Sequence, residues 1–504
     1  MNTTDPMRKR HRPSSLFRFG IFSSIFLLGV RDGNTSEPFP EPAPKVKTYD
    51  LEISPAGEPT PALKYKFNVD LTESTPGNAA IFYNRAIIAN LPSNRSASGK
   101  HWSETDWFDA PLDRLPLDEV KKLLSHKQIV LDEVKSASYC ETCDWGVRFQ
   151  DLRGMNAIEV RLMEFQETRD LARLLRVKAR LAIAEKRFDD AIEAIRQSYQ
   201  LSRNLASAPI FISGLISIAV RSITAESVME LISAEGSPNC YWALRSLTGL
   251  YEESVAALRL ESTMAFRVFP FLKDAETAQR PTEEWNRLLT NAIVSLDESH
   301  DHSADSLKTR VQVASMIIKA YPIAKRELVA AGFDLDRLEQ MPVGQVIAIY
   351  AGRCYQHVSD EFVKWNLVPF PQGYGKLRSL QDEFGRDGYM VHGDSTPWHD
   401  PLLVNNRLFP AIVQYSQACN RQRFTIAALT VVEAVRMHAA ANNNQLPGSL
   451  DEVTIVPVPL DPSTGKQFLY RVVDHKAELL VPPSGSDEYS GRRYLFRMRT
   501  ASGK

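Results

Sequence analysis

The sequence predicts a mainly α-helical protein: an irregular multi-helix body with one tetratricopeptide-like hairpin, then a small C-terminal α+β module. Three observations carry this prediction. Apolar residues recur at helical spacing over most of residues 76–366. Residues 169–205 read as two amphipathic helices joined by a tight turn. The last hundred residues change character, to a long helix, a chain of turn formers and three short alternating stretches. With 504 residues the chain exceeds one hydrophobic core, so two or three packing units are expected. The expected divisions are 1–30, an export signal or membrane anchor; 31–61, a Pro-rich linker; 62–410, the helical body; and 411–504, the α+β module.

At the N-terminus, Arg8, Lys9, Arg10 and Arg12 precede the apolar stretch Phe19–Val30 (FGIFSSIFLLGV). A basic segment before a short apolar one is the pattern of a secretory signal. Twelve residues fall short of the ~20 that span a bilayer as a helix. The chain is therefore expected to be exported, as a periplasmic protein or one anchored to the membrane and facing outward. Residues 31–61 are proline-rich with little apolar periodicity and read as an extended spacer. Ala62–Asp70 alternates Leu63, Tyr65, Phe67 and Val69 with polar residues, which predicts a half-buried strand.

Within the body, Arg169, Arg173, Arg176 and Arg180 share one helix face, and Leu171, Leu174, Leu175 and Leu181 lie opposite. After a turn at Lys186–Arg187, Phe188, Ala191, Ile192, Ile195 and Tyr199 form a matching stripe. Helices joined this tightly pack antiparallel. Residues 209–220 (PIFISGLISIAV) are apolar all round and predict a buried core helix ending at Arg221. A long helix is expected over 303–331, kinked or broken near Tyr321 by Pro322. In the C-terminal module a helix over 421–441 is stopped by three asparagines, and Ser449 with Glu452 has capping-box spacing. Strands are expected at 467–473, 477–481 and 493–499.

The run NNNQLPGSLDEV with LDPSTGKQFLYRV resembles the globular end of a type II secretion pseudopilin. That likeness implies a docking or capping head. From about residue 62 the chain is also similar to a group of exported proteins common in planctomycete bacteria. The phrases PALKYKFNV, TPGNAAIFYNRA, Cys143–Trp145, YPIAKRELVAAGFDLDRLEQMPVGQV and LPGSL with LDPSTGK carry this second likeness. It implies export and brings no catalytic residues.

Charge sets a further limit. With 60 basic and 61 acidic residues the net charge is −1, so no global field draws the chain to nucleic acid. A protein partner is expected instead, with membrane association through the N-terminal apolar segment. The arginine stripe, set in a stretch (169–187) with seven basic and two acidic residues, is either a solvated face or a site for an acidic partner. Asp189, Asp190 and Glu193 lie near enough to pair with it. Cys140 and Cys143 have redox-motif spacing but no surrounding βαβ pattern. A disulfide or buried thiol is the first reading, and metal or redox chemistry the second. His392, Asp394, His399 and Asp400 (MVHGDSTPWHDPL) combine imidazole with carboxylate and are the candidate metal or acid–base residues; His300, Asp301 and His302 repeat the chemistry in a linker. G-x-S-x-G, H-E-x-x-H, P-loop and G-x-G-x-x-G signatures are absent. The expectation is a non-enzymatic extracytoplasmic binding or assembly component without cofactor. The alternative is a hydrolytic or metal-dependent enzyme centred on residues 392–400.

Overall fold

In the computed structural model the described residues are 47–90, 106–108, 110–148, 151, 153–154, 163–208, 210–247, 250–296, 307–385, 404–481 and 492–499. Residues 1–30, expected as an export signal or anchor, residues 300–302 and the 392–400 segment lie outside them. In chain order come β1 (Lys47–Ile53), β2 (Thr75–Asn78), α1 (Ala79–Asn90), α2 (Leu117–His126), α3 (Gln128–Ser138) and β3 (Cys140–Thr142). The hairpin follows as α4 (Met163–Ala184) and α5 (Phe188–Ala206), then α6 (Phe211–Ser233), α7 (Tyr241–Arg245), α8 (Leu250–Glu261) and α9 (Met264–Val268). Next are α10 (Thr282–Leu296), α11 (Leu307–Ala330), α12 (Leu335–Gln340), α13 (Val343–Trp365), α14 (Phe370–Gly385) and α15 (Val404–Ala441). The last elements are β4 (Leu469–Val473), β5 (Lys476–Val481) and β6 (Arg492–Met498). The fold is mainly helical with a small sheet near the C-terminus.

The expected hairpin is present, and its turn is chemically specific. Lys186 adopts φ +57°, Lys186 N–H donates to Ile183 O and Arg187 N–H to Ala182 O, so a left-handed residue closes the helix end. Asn443 and Gly332 mark the ends of α15 and α11 similarly, where the Asn444 and Phe333 amides reach back five residues. The β4–β5 connection is two residues, Asp474 and His475, both at positive φ, as a primed hairpin turn requires. Asp461 organises the Asp–Pro loop: its carboxylate accepts from Ser463 N at 2.7 Å and Thr464 Oγ1 at 3.0 Å.

Three apolar clusters fill the body. One lies among α1–α6 around Tyr83, Leu131, Leu174 and Leu205. A second joins α6 and α8–α15 around Trp285, Leu328, Tyr350 and Phe362. The third packs the sheet (Ile53, Leu479, Tyr494 and Phe496) onto α5, α6, α7 and the C-terminal half of α15. Helix α6 contributes to all three, through Ile216, Ile218 and Val228 among others, and α15 to the second and third. A helix so placed must be apolar all round. An 18-residue window within residues 412–441 is apolar enough to span a membrane by composition, with mean hydropathy 1.3, yet 78% of that window is buried inside the protein. Gly214 lets the two helices approach: a Cβ there would meet the Tyr415 ring carbons at 3.0 Å.

Several expectations are corrected. Lys47–Ile53, assigned to the spacer, is a strand paired in parallel with β6, so the sheet has four strands in the order β1–β6–β5–β4. Its Tyr49, Leu51 and Ile53 supply the inward row, and Tyr49 stacks on Tyr494 at 5.0 Å. Residues 62–70 form no strand; turns place Phe67 against Tyr199 instead, at 5.6 Å. The division at 410/411 falls inside α15, whose first turns extend beyond the expected start at 421. Helix α6 continues past Arg221 because that side chain is buried and donates from Nε to Ser202 Oγ at 3.2 Å. Pro322 sits within an unbroken α11. Ser449 makes no side-chain cap; Glu452 accepts from Gly448 N at 2.8 Å, so half of the box forms, one residue early.

Candidate functional site

The C-terminal half of the arginine stripe, Arg176 and Arg180, turns inward. Arg180 is 2% exposed, donates to the Trp107 and Ala110 carbonyls, and pairs with Glu230 on α6 at 3.0 Å. Arg176 pairs with Glu226 and Glu230 and donates to Phe108 O at 2.8 Å. Arg173 pairs with Asp170, and burial lowers the pKa of Arg169. Burial also holds the Glu230 carboxyl above its ordinary value, against the pull of Arg180 and Arg176. Asp189, Asp190 and Glu193 pair with Lys64, Arg187 and Arg196 rather than with the stripe. Arg176 and Arg180 therefore stitch residues 107, 108 and 110 and α6 onto α4, whereas Arg173, its side chain 37% exposed, pairs along its own helix. The helical period located the arginines, but charge alone does not say which face packs.

Cys140 and Cys143 are free thiols, not joined to each other. Burial raises the Cys140 thiol and pushes Cys143 up to about 12, the reverse of what a redox thiolate needs. The strand Cys140–Thr142 pairs in parallel with β2, and Trp145 Nε1 donates to Asn204 O at 2.6 Å, so this segment ties α1 to α5. Among the described residues no group of three His, Cys, Asp or Glu side chains is placed to hold a metal. His392, Asp394, His399 and Asp400 lie outside the described residues.

One buried charge pair had no sequence forecast. Glu433 and Arg436, both 0% exposed on α15, pair at 2.9 Å. Arg436 also donates to Ser54 O at 2.9 Å and Ser237 O at 2.8 Å, and Glu433 accepts from Cys240 N at 3.2 Å. Asn239 Nδ2 bridges Ala56 O and Glu433 O. Each partner is another part of this chain, so the pair clamps residues 54–56 and 237–240 onto α15.

What the sheet offers outward is different. Among the described residues β4 has β5 on one side and no strand on the other. Among the described residues it is therefore an edge strand, whose outward backbone groups meet no neighbouring strand. Leu469 is 56% exposed and Val473 52%, and Ile455 and Leu460 are exposed in the preceding loop. The register puts Leu469, Arg471 and Val473 on the outer face, opposite Leu480, Glu478 and Lys476. Glu478 is shared by Arg471 at 2.5 Å and Arg493 at 2.6 Å, and hydrogen bonds from Arg471 and Arg493 hold its carboxyl below the ordinary value. Two guanidiniums thus face one carboxylate beside the edge. Natural sheets blunt such edges or use them to add a partner's strand. No family model matches the chain, and no curated protein or solved structure matches it either.

Proposed function

We propose that the protein is an exported, non-enzymatic binding or assembly component that adds an extended segment of a protein partner to the free edge of β4. The observation that carries this reading is the unpaired, apolar edge strand, with Leu469 and Val473 exposed on it. Main-chain hydrogen bonds would supply affinity and side chains on alternate residues the selectivity. The two guanidiniums of Arg471 and Arg493, which share one carboxylate, favour a strand whose outer-facing residues alternate aliphatic side chains with carboxylates. Export rests on the basic and apolar N-terminal segments, and the pilin-like head is the part that docks.

The test is native gel filtration of detergent-solubilised envelope fractions. Wild-type chain should elute in a complex larger than its own 56.7 kDa. Leu469→Lys with Val473→Lys, both on the exposed face, should return it to the mass of the free chain while the circular dichroism spectrum is unchanged. A complex of unchanged size in the double variant would contradict the reading.

A further inference from the structure

Helix α11 (Leu307–Ala330) buries one side and leaves the other apolar. On its inner side Ala324 and Leu328 join the cluster around Trp285 and Tyr350, and Val313 is buried with them. At about 100° per residue, Val311, Ile318, Pro322 and Val329 fall within about 40° of one another on the outer side. Val311 is 61% exposed and Ile318 72%, and Pro322 and Val329 are exposed in the same row. Single exposed aliphatic residues are ordinary on a protein surface; a row along most of a helix marks an interaction face. Cations flank that row. Arg310 is displaced from it by about 100° one way and Lys319 by about 80° the other. Both are exposed, and neither pairs with a carboxylate among the described residues. Lys325 and Arg326 are already held, by Glu339 at 2.6 Å and Glu327 at 2.9 Å.

The charges decide what can cover the row. A second copy of the chain docked there would set one basic flank against another in either orientation, and like charges so placed repel. An apolar row between two cationic flanks matches a bilayer surface. Aliphatic side chains enter the boundary of the acyl chains, while Arg and Lys at right angles to them reach back to the headgroup phosphates. We propose that the outer face of α11 lies on a membrane surface containing anionic phospholipid. Val311, Ile318, Pro322 and Val329 insert, and Arg310 and Lys319 meet the phosphates. The inference is independent of the sheet edge.

The experiment is flotation of the full-length protein with vesicles of phosphatidylcholine, alone or mixed with phosphatidylglycerol. The mixed vesicles should carry the protein at low salt, phosphatidylcholine vesicles should carry several-fold less, and high salt should shrink the difference. Val311→Asp with Ile318→Asp should lower the fraction bound to mixed vesicles about tenfold, and Arg310→Gln with Lys319→Gln at least several-fold. Circular dichroism should be unchanged in both, because all four side chains are exposed. Wild-type binding in either double variant would place the vesicle contact elsewhere, such as the N-terminal apolar segment, and would overturn the proposal. So would the absence of flotation, equal binding to the two vesicle types, or loss in the variants of a concentration-dependent dimer instead of vesicle binding.

Discussion

Arg436 shows how much a single side chain can hold in this chain, because its guanidinium serves Glu433, Ser54, Pro238 and Ser237 together. Removing one partner of a fully buried pair strands the other charge, at about 3–5 kcal/mol. Arg436→Met should therefore lower stability by that amount in chemical denaturation, and adding Glu433→Leu should recover much of the loss. A double variant as unstable as the sum of the single changes would show that the two groups act independently. Glu261 makes a second residue-scale case. It is 8% exposed, and burial raises its carboxyl from about 4.5 to about 7. The folded state then holds a proton that the unfolded state has released, so its contribution is complete below pH 4.5 and is lost as pH rises through 7. Glu261→Gln should stabilise the protein by on the order of 3 kcal/mol at pH 8 and leave it unchanged near pH 4. Equal effects at both pH values in thermal melts would contradict the assignment. Neither group announced itself in the sequence, where a Glu three residues from an Arg on a helix is ordinary; only tertiary burial makes it consequential.

At the scale of elements, periodicity located the hairpin turn and the three C-terminal strands within a few residues, but it ended α6 13 residues early and began α15 17 residues late. It failed where the partner is distant. Lys47–Ile53 alternates apolar residues as clearly as β6 does, but the flanking prolines made it read as spacer, and its partner lies more than 400 residues away. Residues 62–70 alternate too and form no strand, because Phe67 is claimed by Tyr199 and Asn68 by Ser246 and Arg196. The long helix has the same lesson: its apolar stripe was legible, but not that both its flanks are covered. Phe424, Val431 and Val435 meet the sheet core, whereas Ile412 and Tyr415 meet the helical one. An excised 411–504 fragment lacks β1 and the walls from α5, α6 and α7. It should show neither cooperative thermal unfolding nor native helix content by circular dichroism. A cooperative melt of the fragment alone would contradict the shared core.

Across the whole molecule, α6 and α15 join the three apolar clusters into one framework, and the buried charges are used to hold chain segments to it. Among the residues singled out by type, Arg176 and Arg180 face inward and the Cys140 thiol is buried. The feature that reaches outward, the edge of β4, is a property of strand order, which no local pattern encodes. The direct measurement is site-specific photo-crosslinking in intact cells, with the reactive residue at Val473 and a control at Ile318, which is 72% exposed on α11. Strand addition at the sheet edge predicts one discrete protein adduct from position 473 and none from 318. Adducts from 318 alone, or the same pattern from both, would contradict it.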